Sequence, residues 1–255
     1  MAEILVSRTG AVVEVCLDRA AKKNALTGAM YDAMTEALVS ADADPSARAV
    51  LLTAKGETFC AGNDIADFLE PRADILESPG QRFIAALVQL SKPLVAAVQG
   101  AAVGIGTTML LHCDLVYASA SARLRTPFVS LGLVPEAASS LLLPARVGHA
   151  VASEMLLLGA WIDAARAERL GLVNAVLPSA PELLAFARER AGELAKSPPS
   201  AVRMTKKLLR DPPTMRARAQ EEARRFAECL VSPEAREAFS AFLERRPPDF
   251  TKASR

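Results

Sequence analysis

Several things are scarce in this 255-residue chain, and each scarcity narrows its role. Aromatic residues make up 5%, with a single Trp, so the core must be aliphatic and alanine-rich. Charge of one sign is also missing: 30 Lys plus Arg against 29 Asp plus Glu leave a formal net charge of +1. That balance excludes a polyanion-binding surface for nucleic acid and a basic patch for an acidic membrane. The four cysteines, Cys16, Cys60, Cys113 and Cys229, are widely spaced with no C-x-x-C pair. A disulfide framework or zinc site is therefore not expected, and a reducing compartment is. His112 and His149 are the only histidines, too few for a histidine-ligated metal centre, so no metal is expected. The opening Met1-Ala2-Glu3-Ile4 lacks a basic region followed by a long apolar one, which argues against a signal peptide.

What is present fits a packed globular protein: 51% hydrophobic and 23% charged residues, outside the range of disordered chains. Residues 93–113 carry no charge over about the length that spans a bilayer. Pro93, Gln99, Gly100, Gly104, Gly106, Thr107, Thr108 and His112 interrupt them, and a short buried strand, a glycine-rich turn and a new helix explain the run better. Residues 4–6 and 11–17 flank a glycine turn at Gly10 and predict a hairpin. Thr27 is placed to cap a helix with Met30, Ala33, Met34, Ala37, Leu38 and Ala41 on one face. Residues 49–54, 94–98, 115–117 and 172–176 read as strands, and their alternation with helical patterns predicts an α/β core with crossovers. After about residue 178 the texture turns helical over 183–194, 201–209, 215–230 and 234–243, with proline-containing breaks between the segments.

Two glycine-bearing turns follow strands: Phe59-Cys60-Ala61-Gly62-Asn63-Asp64-Ile65 and Gln99-Gly100-Ala101-Ala102-Val103-Gly104-Ile105-Gly106-Thr107-Thr108. Facing each other, they could aim two backbone N–H donors at one oxygen. On spacing alone, tight helix–strand packing is the commoner reason for such turns. Glycines at 100, 104 and 106 do not make a G-x-G-x-x-G dinucleotide fingerprint, and no G-x-x-x-x-G-K-[ST] phosphate loop occurs. Glu136 lies in an uncharged run over 126–145. It is either a pocket carboxyl with a raised pKa or a carboxylate at the N-terminus of a helix beginning near Ala137, and the residues alone leave both open.

Those two turns, with Cys113-Asp114-Leu115-Val116-Tyr117-Ala118, Lys22-Lys23-Asn24-Ala25-Leu26, the Ala164-Ala165-Arg166-Ala167-Glu168-Arg169-Leu170-Gly171-Leu172 stretch and the Phe242-Leu243-Glu244-Arg245-Arg246 end, resemble the crotonase (enoyl-CoA hydratase/isomerase) superfamily along nearly the whole chain. The resemblance implies an α/β crotonase (ClpP-like) spiral of β-β-α turns over residues 1–195. It also implies a helical region over 196–255 that mediates a homotrimer or a dimer of trimers. It implies acyl-CoA thioesters as substrates, with no separate cofactor because coenzyme A is part of the substrate. The thioester oxygen would be held by the backbone N–H groups of Asn63 and Ile105. Lys22, Lys23, Ala25, Asp64, Ile65 and Arg245 would lie along the CoA moiety.

The acid/base group decides the reaction. Hydratases of the family use two glutamates, and at those positions this chain has Thr108 and Phe128. Neither transfers a proton as a carboxylate. The combination of Thr-Pro-Phe, Leu-Gly, Pro-Glu and Ser-Ser at 126–140 looks like the peroxisomal-type Δ3,Δ2-enoyl-CoA isomerases, which implies Glu136 as the sole catalytic base. Enoyl-CoA hydration, another crotonase reaction, or a non-catalytic CoA-ester binding protein are the alternatives. The chain ends Ala253-Ser254-Arg255 rather than in a Ser-Lys-Leu address, so a cytoplasmic location is expected.

Overall fold

Nine strands form two sheets in the computed structural model, which describes residues 2–68 and 76–253. Ser254 and Arg255, on which part of the expected location rests, lie outside the described residues. The hairpin expected at the start is there: β1 (Ile4–Thr9) and β2 (Val12–Leu17) pair antiparallel around Gly10, whose φ is +58°. β3 (Ala49–Ala54) and β4 (Leu94–Val98) then continue the sheet in parallel. After β5 (Ala101–Val103), β6 (Leu115–Ser119) extends it further, and after β7 (Arg123–Arg125) and β8 (Ile162–Asp163), β9 (Ala175–Leu177) closes it. The order is β1-β2-β3-β4-β6-β9, while β5, β7 and β8 make a small second sheet.

Side chains alternate across a strand with a period of two, so each central strand feeds two cores. Val50, Leu52, Leu94, Ala96, Val98, Val116 and Ala118 enter the larger cluster; Ala49, Leu51, Val95, Ala97 and Tyr117 enter the smaller one. Both faces are covered, which is why β3 and β4 read as unbroken apolar runs. On the larger side lie α1 (Gly28–Ala43), the short α2 (Ile65–Phe68) and α3 (Pro79–Gln89). Thr27 Oγ1 caps α1 by accepting from Met30 N at 3.3 Å. On the same side α4 (Ile105–Thr108) runs into a 3-10 turn, Met109–His112, and α5 (Ser139–Val147), α6 (His149–Leu158) and α7 (Ala164–Arg169) follow. The smaller core is roofed by α8 (Ala180–Lys196) through Leu183, Ala187, Ala191 and Ala195, spaced four residues apart on one helical face.

The remaining helices are α9 (Pro199–Leu209), α10 (Pro212–Leu230), α11 (Pro233–Leu243) and α12 (Phe250–Ala253). The proline-containing breaks are also their starters: Asp211 and Ser232 cap α10 and α11 with Pro at the first turn, where its missing N–H is no loss. α10 packs against α3, α5 and α11, so the C-terminal helices reach the centre of the molecule. Among the described residues no helix is long and apolar enough to cross a membrane.

Two expectations shift. The strand placed at 172–176 is only Ala175–Leu177; Leu172 and Val173 instead close α7 through Gly171, at φ +74°. The helix placed near Ala137 begins at Ser139, because Ala137 and Ala138 are both left-handed, at φ +60° and +56°.

Candidate active site

The two glycine turns lie against each other because the backbone zips them together. Cys60 N donates to Ala101 O and Val103 N to Cys60 O, at 3.1 and 2.9 Å. The opposite flank is joined as well: Leu26 N donates to Gly62 O and Asp64 N to Leu26 O, at 2.8 and 2.9 Å. Glycine is required for this approach. A Cβ on Gly106 would stand 2.7 Å from Cys60 O, and one on Gly62 would sit 3.2 Å from Val103 O with φ at +97°. Each turn thereby leaves main-chain donors free, since neither Asn63 N nor Ile105 N has a protein acceptor among the described residues. Ile105 is the first residue of α4, where an N–H has no partner within the helix. Asn63 is held from its side chain, whose Oδ1 accepts from Tyr31 Oη at 2.5 Å.

Glu136 is buried beside them, 7% exposed. Its Oε1 accepts from Thr108 Oγ1 at 2.7 Å, so the carboxyl is tied to the same four-residue helix that Ile105 begins. Burial pushes its pKa from 4.5 up to about 7, opposed by the Thr108 hydrogen bond and assisted by the charge of Glu222. The carboxyl does not cap α5. A different carboxylate does that work, as Glu222 Oε1 accepts from Ser140 N at 2.8 Å in the first turn. Phe128 is buried and apolar, so neither hydratase-pair position holds a carboxylate.

The other nucleophile candidates are silent. Burial pushes the thiols of Cys60 and Cys113 up to about 12, far from the thiolate a nucleophile needs. His112 is held near 4 by burial and stays neutral, with Nε2 2.8 Å from Ala137 O. Among the described residues no group of three or more His, Cys, Asp or Glu could hold a metal ion.

Most of the residues expected along the CoA moiety gather around one cation. Arg19 donates to Ala25 O at 3.0 Å and pairs with Asp64 at 2.7 Å, joining the 22–25 segment to the start of α2 at Ile65. Lys22 and Lys23 are exposed on that segment. Arg245 is separate: it is exposed just after α11, and within the chain its side chain makes no hydrogen bond or ion pair to them. Sequence reasoning missed Arg19, Tyr31 and Glu222. For Glu222 a signal existed, because it falls on the face of α10 that buries Met215, Ala219, Ala223 and Phe226.

Comparison with known proteins reveals extensive similarity. The profile of the family described as Enoyl-CoA hydratase/isomerase matches residues 7–253. The 2,3-dehydroadipyl-CoA hydratase of Escherichia coli K12 is 34% identical over 253 residues, covering 98% of this chain and 99% of the hydratase. Enoyl-CoA delta isomerase 2 of Rattus norvegicus is 35% identical over 255 residues, covering 96% of this chain and 64% of the isomerase. Among solved structures, an enoyl-CoA hydratase/isomerase from Pseudoalteromonas atlantica superposes with a TM-score of 0.93 at 42% identity, covering 98% of this chain and all (100%) of its own. OdaA of Pseudomonas aeruginosa does so with a TM-score of 0.93 at 47% identity, over 96% of this chain and 100% of its own.

Proposed function

The chain belongs to the enoyl-CoA hydratase/isomerase family of the crotonase superfamily, and from that premise we propose that it is a Δ3,Δ2-enoyl-CoA isomerase with Glu136 as its only base. The observation that carries this reading is the buried Glu136 carboxyl hydrogen-bonded to Thr108, on the helix that Ile105 opens, with Thr108 and Phe128 where a water-activating pair of glutamates would stand.

In this reading the thioester oxygen of a 3-enoyl-CoA sits between Asn63 N–H and Ile105 N–H. Removing a proton from C2 sends the electron pair into the carbonyl, and the two donors stabilise the enolate oxygen where the charge develops. Such a donor is typically worth roughly 100- to 1000-fold in rate. Glu136 takes the C2 proton and returns it to C4, and the double bond moves from C3–C4 to C2–C3. No atom is gained or lost. A carboxyl that titrates near neutrality suits this work, since it must both accept and give back one proton at working pH. The Lys22–Ile65 side, gathered by Arg19, would face the CoA portion, with Arg245 reaching it from a neighbouring subunit. Exposed Met204, Leu208 and Leu209 on α9 support a homotrimer or a dimer of trimers.

Hydration is the second reading, favoured by the hydratase name of the Escherichia coli relative. Parallel assays with a 3-enoyl-CoA and a 2-enoyl-CoA, followed by the absorbance of the conjugated thioester, separate the two. Isomerisation makes absorbance appear from the first substrate; hydration makes it vanish from the second. Glu136→Gln should lower isomerase turnover by roughly 100- to 10,000-fold with little change in CoA-ester affinity. Retention of most activity in that variant, or dominant hydration, would sink the isomerase reading.

A further inference from the structure

Two successive left-handed alanines are an expensive way to follow a catalytic carboxyl. Ala137 and Ala138 sit at φ +60° and +56°, and each such residue costs about 1–3 kcal/mol unless its surroundings hold it. Their braces come from outside the loop. His112 Nε2 lies 2.8 Å from Ala137 O. Arg210, which can only donate, approaches His112 Nδ1 at 3.4 Å, so Nδ1 accepts and the proton on Nε2 is given to the Ala137 carbonyl. Beyond the alanines, Ser140 N donates to Glu222 Oε1 at 2.8 Å, and Arg218 Nη1 donates to Ser140 Oγ at 3.1 Å.

Glu222 is poorly explained as a stabiliser. It is 5% exposed on a face otherwise made of Met215, Ala219, Ala223 and Phe226, and its Oε2 is buried with no hydrogen-bond partner among the described residues. A buried carboxylate with a bare oxygen is costly, and an apolar side chain would ordinarily serve packing better. Its position beside the strained step does explain it. We propose that Glu222 is a positioning residue for Glu136: by holding the Ser140 N–H it locks the left-handed Ala137–Ala138 step, and so aims the Glu136 carboxyl at Thr108 and the substrate.

This rests on Glu136 being the base, but it can be tested without that assumption. The groups facing this corner are Glu222 and Arg218 from α10, Arg210 ahead of it, Lys206 from α9, Arg146 from α5, His112 from the 3-10 turn, and the Cys60 thiol. Two variants divide the roles of Glu222. Glu222→Gln keeps a carbonyl oxygen for Ser140 N–H and removes the charge; Glu222→Leu removes both. The Glu136 carboxyl is followed by carbon-13 NMR of side-chain-labelled glutamate, assigned by the resonance missing from Glu136→Gln.

In Glu222→Gln, Glu136 should titrate at lower pH while kcat stays within about threefold, because the turn is kept. In Glu222→Leu, kcat should fall roughly 100-fold with KM little changed, as expected for a misaimed group. A packing role alone would lower the melting temperature and leave kcat unchanged. A folded Glu222→Leu protein with wild-type kcat overturns the proposal. Should that variant fail to fold, Glu222→Asn, whose oxygen falls one methylene short of Ser140 N–H, takes its place, and a wild-type kcat there overturns the proposal. If Glu136→Gln itself keeps its turnover, the base assignment falls, and the titrations still decide whether Glu222 governs Glu136.

Discussion

Replacing Glu136 with Gln should make the protein more stable, and by an amount that depends on pH. Burial holds this carboxyl at about 7 in the folded chain against an ordinary 4.5. Each tenfold change in proton affinity corresponds to about 1.4 kcal/mol. Above pH 8 both states are ionised, and the folded state bears the whole penalty of about 3 kcal/mol. Below pH 4.5 both states are protonated and the penalty vanishes. The sign follows from proton counts: between 4.5 and 7 the folded state binds more protons than the unfolded one, so stability falls as pH rises through that window. Gln keeps an oxygen for the Thr108 hydroxyl and cannot ionise. Urea unfolding of the two proteins at pH 5 and pH 8.5 should therefore show a gain below about 1 kcal/mol at the lower pH and about 3 kcal/mol at the higher. Any constant difference between the side chains cancels in that comparison. A gain equal at both pH values, or none at either, would refute the idea that Glu136 ionises against its surroundings.

Two further outcomes are expected. Thr108→Ala removes the one hydrogen bond that lowers the Glu136 pKa, so the acid limb of the kcat/KM profile should move above its wild-type position. Activity near neutrality should drop roughly tenfold and recover at high pH; an unmoved acid limb would argue against that bond in solution. Sedimentation at micromolar concentration should show a trimer or hexamer, and Leu208→Arg, at a position 86% exposed in the single chain, should shift it towards monomer. A wild-type monomer would remove the assembly from the proposal.

Much of this architecture was legible because its signals are local. β3 and β4 are aliphatic runs long enough to read, and Thr27, Asp211 and Ser232 announce their helices with side chains that cap them. The strands of the second sheet escaped notice because β5, β7 and β8 are two or three residues long, too short to show a period. At the site, Glu136 stood out as a lone carboxyl in an apolar run. Its setting did not. Nothing about alanine suggests a left-handed backbone, so the pattern at Ala137 and Ala138 points to a helix start where the chain makes a left-handed step. The Thr108–Glu136 and Ser140–Glu222 contacts are made only by tertiary packing, across 28 and 82 residues of chain.

That last separation also has a meaning in time. A ribosome makes proteins from the N-terminus, and long-range contacts wait for their later partner. The glycine turns, the sheet and Glu136 itself can all emerge while the carboxylate that reaches Ser140 is still unmade. If Glu222 does aim Glu136, a growing chain holds an unaimed proton carrier until α10 has been synthesised and has docked against α5. Competence would then arrive with the end of translation, and an abortive product stopped before residue 222 would be idle even if most of its core had formed.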